Sequence, residues 1–426
     1  MADGALTAEA PPTVLARLGG WRVWQRVIAV YAAARLVTTL LMLVSSALAP
    51  ADGRHGENPS ILDYISGWDA AWYREIVLNG YPSDLPRDDS GNVAQNAWAF
   101  MPIYPVIVRA LSIVVPGAGL GSDDVWAVAD AWGWCAALVS LVAGYAACRA
   151  LFAVVAPRMG DEKALWAVAF LAFNPLGLMF QVGYAESMWL ACVLWAVWAL
   201  ERRRWVWLYV LIPILAFTRP GELALPLTIA LYGIWRLLRR REEEIRRSEV
   251  VHILALGALG TLLGFAWPVI ADAVTGDPSG YLDTELAWRR GWTGDETGGF
   301  LPGGGWVQGA SVWAGLWGIP AWAGYLLLAA IAASAVLLFR IPAVRALSME
   351  MRLWAASYLV YLALVVFPQS SILRMLLPVA PLVAAAIAGT RLLGSTRVLI
   401  LAASVAAQFW WIHEMYGVGN TYYLIP

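Results

Sequence analysis

The chain has 426 residues, of which 60% are hydrophobic and only 14% carry a formal charge. Soluble domains usually have about a quarter of their residues charged, so this composition excludes an ordinary soluble protein. The formal net charge of -1 gives no basis for nucleic-acid binding. Apolar runs recur along almost the whole chain without a polar stretch long enough to form a core. We therefore predict an all-α polytopic membrane protein.

The elements are predicted from the N-terminus onward. Residues 1–25 are rich in alanine and proline, which predicts a disordered cytoplasmic tail. The first apolar run, 26–49, is long enough to cross a bilayer and too long for the apolar part of a cleaved signal peptide. Later runs bring the predicted number of transmembrane helices to about 11. These runs lie near 125–155, 164–182, 187–200, 206–218, 221–238, 250–274, 311–340, 348–367, 371–390 and 397–413. We expect a single integral-membrane domain over residues 26–426.

Arginine clusters predict the orientation, because short cytoplasmic loops carry an excess of positive charge. The clusters lie at 202–204, 236–247, 340–345 and 391–397. Two large loops are then extracytoplasmic, the first at 50–123 and the second at 275–306. The segment from Trp98 to Val115 is apolar enough to cross, but a crossing would invert every later loop. We expect this segment to lie in the outer interface or to be re-entrant, covered by protein.

One stretch of the first outer loop combines a carboxylate with aromatic rings where a span meets water. It begins Trp68-Asp69-Ala70-Ala71-Trp72-Tyr73 and ends in Asn79-Gly80, a typical helix stop. A short amphipathic surface helix over 67–78 is predicted, and Ser66 to Asp69 fits the capping-box pattern. Asp69 is either a helix-capping carboxylate or a general base, and the residues alone leave both interpretations open.

Two further polar breaks are predicted on the same outer side. Asn174-Pro175 interrupts one apolar run before Gly183-Tyr184-Ala185-Glu186-Ser187, and Thr218-Arg219-Pro220-Gly221-Glu222 interrupts another. Interrupted membrane helices with charged residues usually mark a site. Glu186 and Glu222 also fit an ordinary ion pair with an arginine or a helix cap.

These motifs, in this order, resemble the GPI mannosyltransferase II (PIG-V-like) family of the glycosyltransferase superfamily C (GT-C). The similar stretches are Trp68-Asp69-Ala70 to Gly80-Tyr81, Ala99 to Pro105, Asn174-Pro175 with Gly183 to Ser187, and Thr218 to Gly221. Further on, Arg374-Met375-Leu376-Leu377-Pro378 is similar to the arginine-containing outer helix start of related enzymes. The resemblance implies a GT-C-like fold with the catalytic acid in the first outer loop and a second outer loop after the seventh span. The topology predicted above, with Trp98 to Val115 not crossing, puts residues 275–306 in that second position.

The resemblance further implies a mannosyltransferase that uses polyprenyl-phosphate mannose and acts on an acceptor hydroxyl at the extracytoplasmic face, with inversion. Asp69 would be the general base, and Arg374, with Arg219 as second choice, would bind the donor phosphate. Either arginine can instead be a structural partner of Glu186 or Glu222. Substrate contacts are expected from Trp68, Trp72, Tyr73, Tyr104, Tyr184, Glu186 and Glu222. The acceptor would be a glycolipid, a glycan or a protein, with membrane lipids around the chain.

Other residues point to less specific roles. The segment 276–306 mixes glycine, acids and tryptophan without an apolar periodicity long enough for a helix, and predicts a lid. His413 is expected to be an interface residue rather than a catalyst. No cluster with metal-ligand spacing and no cofactor motif is visible. Cys135, Cys148 and Cys192 fall in apolar runs and are expected to be buried small hydrophobes.

Two other functions remain open at this point. A transporter or flippase for a lipid-linked sugar also has many spans and broken helices, although its binding residues would concentrate near the midplane. A sibling GT-C enzyme that uses polyprenyl-phosphate glucose or arabinofuranose would present the same residues. Lys163 is the single lysine among 29 basic residues, which is typical of a GC-rich bacterial genome. We therefore expect a bacterial plasma membrane and leave the acceptor open.

Overall fold

The computed structural model describes residues 20–115, 125–294 and 299–426, without the side chains of residues 125–129. Within these ranges the chain is helical or irregular, and the only β pairing is an isolated bridge between Arg87 and Val93. The predicted tail falls outside the described residues up to residue 19. Residues 23–25, which were included in that tail, already belong to the first helix.

The helices are numbered in chain order. The first are α1 (Val23–Ala47), α2 (Ile61–Ser66), α3 (Asp69–Asn79), α4 (Ile103–Ser112), α5 (Val125–Met159) and α6 (Asp161–Ala172). The next are α7 (Glu186–Glu201), α8 (Trp205–Ala216), α9 (Ala224–Leu238), α10 (Arg247–Gly264), α11 (Ala266–Thr275) and α12 (Gly280–Thr293). The last are α13 (Gly304–Leu316), α14 (Ala321–Leu338), α15 (Pro342–Arg345), α16 (Met349–Val365), α17 (Ile372–Met375), α18 (Ala380–Gly389) and α19 (Gly394–Ile412). Short 3₁₀ turns lie at Ala97–Ala99, Gly177–Phe180 and Leu377–Val379, and a π-helical turn lies at His413–Val418.

Within the described ranges, six helical segments are long and apolar enough to cross a membrane. They are Val23–Ala47, Asp130–Met159, Arg247–Thr275, Ala321–Leu338, Ile372–Gly389 and Gly394–Val418. In α14, which has 18 residues, Gly324 is the one buried residue. A helix that is apolar on all sides and exposed to this extent is stable in lipid rather than in water. The fold is therefore that of a helical membrane protein.

Paired arginines gather at one end of the helical bundle, which we call the basic end. The pairs are Arg26–Asp161, Arg158–Glu201, Arg203–Glu243, Arg236–Glu249 and Arg397–Glu162. Every arginine in these pairs stands at or next to a helix terminus. The opposite end, which we call the loop end, carries α2, α3, α4 and α12. Arginines from three of the four predicted clusters, at 202–204, 236–247 and 391–397, thus belong to one end of the bundle.

The break at Asn174-Pro175 ends α6 in the middle of an apolar run. Carbonyls freed by such a break need donors, because lipid supplies none. Arg35 of α1 donates to the carbonyls of Ala172 and Gly177, and Gln408 Nε2 of α19 donates to the Asn174 carbonyl at 3.0 Å. Polar side chains from two neighbouring helices thereby satisfy the carbonyls of the break, and the chain continues to α7, which begins at the loop end.

The start of α3 differs from the prediction. Ser66 ends α2, and Trp68 takes a left-handed φ of 55° before α3 begins at Asp69. The capping box is found one helix earlier, where Asp63 N donates to Ser60 Oγ at 3.2 Å and Ser60 N donates to Asp63 Oδ2 at 2.7 Å. The box predicted at Ser66 to Asp69 was therefore wrong, whereas the stop at Asn79-Gly80 is confirmed, with Gly80 at φ 75°.

Helix α4 lies at the loop end against α3 and α5. It has ten residues and is about 15 Å long, half the thickness of a bilayer core. Tyr104 of α4 donates its hydroxyl to the Ala136 carbonyl of α5 at 3.1 Å, and Arg109 donates to the Val77 carbonyl of α3. This length suits the non-crossing segment that the sequence predicts at this position.

The predicted lid contains a helix, so its description as non-helical was wrong. α12 has 14 residues and is held by tertiary contacts rather than by an apolar stripe. Asn96 Nδ2 donates to the Thr284 hydroxyl at 2.8 Å, and the Trp288 ring lies 6.0 Å from that of Trp72. The run predicted at 311–340 is also divided, because α13 and α14 form a hairpin in which Gly324 packs against the Ala310 carbonyl.

Candidate active site

Four charged side chains from four separate segments meet at the loop end. Asp69 begins α3, Glu186 begins α7, Arg219 lies in the turn between α8 and α9, and Arg374 lies in α17. Arg374 Nη1 donates to Asp69 Oδ2 and lies 3.0 Å from Glu186 Oε1. Arg219 Nη2 lies 3.5 Å from the same Glu186 oxygen. We call these residues the charged quartet, and Glu186 is its bridge.

The quartet is neutral overall and mostly buried. The exposed fraction is 3% for the Glu186 side chain and 7% for each arginine, but 20% for Asp69. Asp69 is therefore the member that a molecule from outside reaches first. Burial raises the pKa of the Asp69 carboxyl above its ordinary value, while the Arg374 charge lowers it and the Glu186 charge raises it again. A carboxylate in this setting is a stronger base than an exposed aspartate.

Aromatic rings hold the two guanidiniums. The Tyr184 ring centre lies 5.1 Å from the guanidinium carbon of Arg374, and its hydroxyl accepts from the Asp69 backbone N–H at 3.2 Å. The Trp189 ring centre lies 5.9 Å from the guanidinium carbon of Arg219. Planar guanidinium groups stack favourably on such faces. The cations are thus kept in place by neutral neighbours as well as by carboxylates.

The turn that carries Arg219 depends on a glycine. Gly221 has φ 115°, which is unfavourable for residues with a Cβ. A Cβ at this position would also lie 3.1 Å from Tyr358 Cε2 and 3.4 Å from the Trp189 ring. Glycine therefore lets the turn between α8 and α9 approach α7 and α16 closely, so that Arg219 reaches Glu186.

Of the residues predicted from sequence, Glu222 is separated from the quartet's ion pairs. Its side chain is buried against α10, where a Cβ on Gly260 would come within 3.4 Å of a carboxylate oxygen. Among the described residues, neither Glu222 oxygen has a hydrogen-bond partner. The pairing of Arg219 with Glu222, which the sequence left open, is therefore not found, whereas the pairing of both arginines with Glu186 is.

The predicted aromatic residues divide into two groups. Trp68 and Trp72 are half-buried next to Asp69 in the chain, and Trp68 Nε1 donates to the Met415 carbonyl at 2.9 Å. Tyr73 and Tyr104 are buried, with ring centres 5.1 Å apart. The hydroxyl of Tyr104 donates to the Ala136 carbonyl of α5, so this buried residue supports the site without being exposed in it. Trp68 and Trp72 are the more exposed pair, although Arg54 lies over the Trp68 ring at 3.7 Å and the Trp72 ring stacks on Phe100.

Glu285 on α12 was not singled out from the sequence. Burial raises the pKa of the Glu285 carboxyl to about 7, and the hydroxyl of Tyr281 bonds to it. The hydroxyl of Tyr361 on α16 is close enough to interact with the charge of the Glu285 carboxylate. Residues 281, 285, 288 and 292 repeat at helical spacing, a signal that would have revealed both the helix and this carboxyl.

Across the described ranges, no group of three or more His, Cys, Asp or Glu side chains is close enough to hold a metal ion. Cys135 and Cys148 are buried, Cys192 is half-buried, and all three are free thiols. No protein-family model matches the chain, and no curated protein is significantly similar to it in sequence. The function is therefore inferred from the charged quartet together with the motif resemblance.

Proposed function

We propose that this protein is a membrane mannosyltransferase of the GT-C type that uses polyprenyl-phosphate mannose, with Asp69 as general base. The observation that carries the proposal is the contact between a partly exposed carboxylate of raised pKa and a buried guanidinium. An inverting glycosyl transfer needs one base for the acceptor hydroxyl and a cation for the departing phosphate. Asp69 and Arg374 supply this combination in one place.

In the proposed step, the acceptor oxygen attacks the anomeric carbon of the donor while its proton passes to Asp69. The glycosidic C–O bond forms as the bond from the anomeric carbon to the phosphate oxygen breaks. The electron pair of that bond leaves on polyprenyl phosphate, whose charge Arg374 would stabilise. A phosphate monoester leaves as an anion, so a cation is more useful there than a proton donor.

The proposal includes an order of binding. Arg374 is bonded to Asp69 in the ligand-free protein, yet its buried Nε has no hydrogen-bond partner among the described residues. A donor phosphate would compete with Asp69 for this guanidinium, which Glu186 keeps in position. Release of the Asp69 carboxylate then prepares it for the acceptor hydroxyl. Donor binding would thus precede productive acceptor binding.

The proposed topology has about 11 crossings, with the loop end extracytoplasmic in a bacterial plasma membrane. Its support is the gathering of arginines at the basic end and the short length of α4. The quartet lies at helix starts and in a turn rather than midway along spans. This placement favours an enzyme of the interface over a flippase with a midplane site.

The decisive experiment compares variants in purified, reconstituted protein supplied with labelled polyprenyl-phosphate mannose and candidate acceptor lipids. Asp69→Asn is expected to lower transfer by about 10²- to 10⁴-fold, because it removes the base and little volume. Glu75→Gln is the matched control, since Glu75 lies on the exposed side of the same helix. A folded Asp69→Asn protein that transfers mannose near the wild-type rate would refute the assignment.

Donor affinity separates the two arginines. If Arg374 binds the phosphate, Arg374→Ala weakens donor binding while Arg219→Ala, whose guanidinium lies behind Glu186, has the smaller effect. Unchanged affinity in either variant excludes that arginine as the phosphate ligand. Parallel incubations with polyprenyl-phosphate glucose identify a sibling enzyme, and movement of the lipid across the bilayer without transfer identifies a flippase.

A further inference from the structure

A cavity of ≈ 310 Å³ opens at the basic end, far from the charged quartet. Arg158 at the end of α5, Trp235 and Arg239 at the end of α9, and Arg352 in the first turn of α16 all line it. The 15 residues of α9 separate this cavity from the turn that carries Arg219, a distance of about 22 Å along the helix. We call it the basic-end cavity, and the proposed transferase reaction has no use for it.

Positive charge exceeds negative charge in this cavity. Glu350 is the one carboxylate in the lining, against the three arginines. Arg158 pairs with Glu201 and Arg239 lies 3.7 Å from Glu242, but both of these acids stand outside the cavity. Within the lining itself, arginines therefore outnumber carboxylates three to one.

Arg352 is the centre of this excess. Its guanidinium has no ion pair within the described part of the chain, and its Nε makes one long bond of 3.4 Å to the Ser348 carbonyl. Glu350 lies near enough to attract its charge, and Arg158, Arg239 and Arg345 lie near enough to repel it. Like charges at this separation are stabilised by an anion between them. A phosphate group has the charge and the acceptor oxygens for that position.

The surface next to the cavity indicates where the phosphate comes from. The α9 face that continues from Arg239 exposes Ile234, Leu237 and Leu238, with Leu238 79% exposed. The guanidinium carbon of Arg239 lies 5.4 Å from the centre of the Trp235 ring, an arrangement common where membranes meet water. A cationic recess joined to an exposed apolar helix face matches a molecule with an anionic head and acyl chains.

We propose that the basic-end cavity binds the phosphate headgroup of an anionic phospholipid, with Arg352 and Arg239 as its ligands and the exposed face of α9 against its acyl chains. Basic pockets between helices on the cytoplasmic side are suited to such headgroups. The proposal stands whether or not the chain is a mannosyltransferase, since the cavity and the quartet lie at opposite ends.

The test uses the full chain in phosphatidylcholine nanodiscs, titrated with short-chain phosphatidylglycerol and followed by native mass spectrometry. Wild-type protein is expected to retain phosphatidylglycerol and not short-chain phosphatidylcholine. Arg352→Gln and Arg239→Gln should each weaken binding about tenfold, as expected for loss of one charge-assisted contact. Arg240→Gln is the matched control, because Arg240 is exposed at the same end and is absent from the cavity lining.

Three results would overturn the proposal. Arg352→Gln and Arg239→Gln would both retain wild-type affinity, or Arg240→Gln would lose as much as they do, or inorganic phosphate would bind as tightly as the lipid. The last result would identify a site for a soluble anion. Because the Arg239 side chain is 55% exposed, its loss tests binding without threatening the fold.

Discussion

Glu186→Gln is the sharpest perturbation of the charged quartet. The substitution keeps the shape of the side chain and removes the negative charge that both guanidiniums share. Arg374 keeps Asp69 as a partner, but Arg219 is left with neutral neighbours, which include the Met375 thioether, the Trp189 ring and the Tyr358 hydroxyl. A buried guanidinium without a counter-charge is strongly destabilising. We therefore expect the folded state, and not only activity, to suffer.

The magnitude follows from the two distances. At 3.0 Å and 3.5 Å, each attraction amounts to roughly 5 kcal/mol at an effective dielectric constant of about 20. Desolvation of the Glu186 carboxylate, several kcal/mol for a buried ion, offsets much of this sum. Breaking a buried pair typically costs about 3–5 kcal/mol, and Asp69 still balances one cation. We expect Glu186→Gln to lower the free energy of unfolding by about 3 kcal/mol.

Reversible unfolding in mixed detergent micelles, followed by tryptophan fluorescence, measures this change. The double variant Glu186→Gln/Arg219→Gln should recover part of the loss, because it removes the stranded cation. Glu242→Gln serves as the control, since its pair with Arg239 is 3.7 Å long and the Glu242 side chain is 70% exposed. If the single variant is as stable as the wild type, or the double variant loses still more, the bridging role of Glu186 is refuted.

Three further outcomes are expected. Transfer should fall as the pH drops through the Asp69 pKa, because the base must be deprotonated. Burial raises that pKa, so the acid limb of a pH–rate profile should lie at higher pH than for an exposed aspartate. Gly221→Ala should lower the unfolding midpoint, since φ 115° and the 3.1 Å approach to Tyr358 both oppose a Cβ, and an unchanged midpoint would contradict this. Thr284→Val should leave one N–H of the Asn96 amide without its partner, cost about 1–3 kcal/mol and speed hydrogen exchange in α12. Unaltered exchange would argue against that contact.

The common location of the quartet was predictable, but its contacts were not. Asp69, Glu186, Arg219 and Arg374 each follow a break in an apolar run, and the arginine clusters indicate that these breaks share one side. Whether Arg374 touches Asp69 depends on how α3 packs against α17, which no local pattern encodes. Glu222 shows that closeness in sequence does not predict a shared contact, because it lies three residues after Arg219 and yet packs against α10.

Errors in the prediction arose where tertiary contacts override local preference. A capping motif at Ser66 fits the sequence, but Trp68 adopts φ 55° and places the Asp69 carboxylate against Arg374 instead of the helix start. α12 has little apolar character of its own and is stabilised by Asn96 and by the edge-to-face contact of Trp288 with Trp72. In both cases the contacting partner is distant in sequence, so local propensity carries no record of the contact. For α12, the helical spacing of residues 281, 285, 288 and 292 indicates the helix but not its packing against Asn96.

The long separation in sequence between Asp69 and Arg374 has a consequence for biosynthesis. The two residues are 305 positions apart, so a ribosome that adds about 5–20 residues per second makes Arg374 roughly 15–60 s after Asp69. Glu186 meets Arg219 much sooner, since they belong to neighbouring helical hairpins. During synthesis the Asp69 carboxylate therefore lacks its cation until Arg374 has been made. The pair of Asp69 with Arg374 can form only when every helix except α18 and α19 has been made, which makes it a late step of assembly as well as a part of the site.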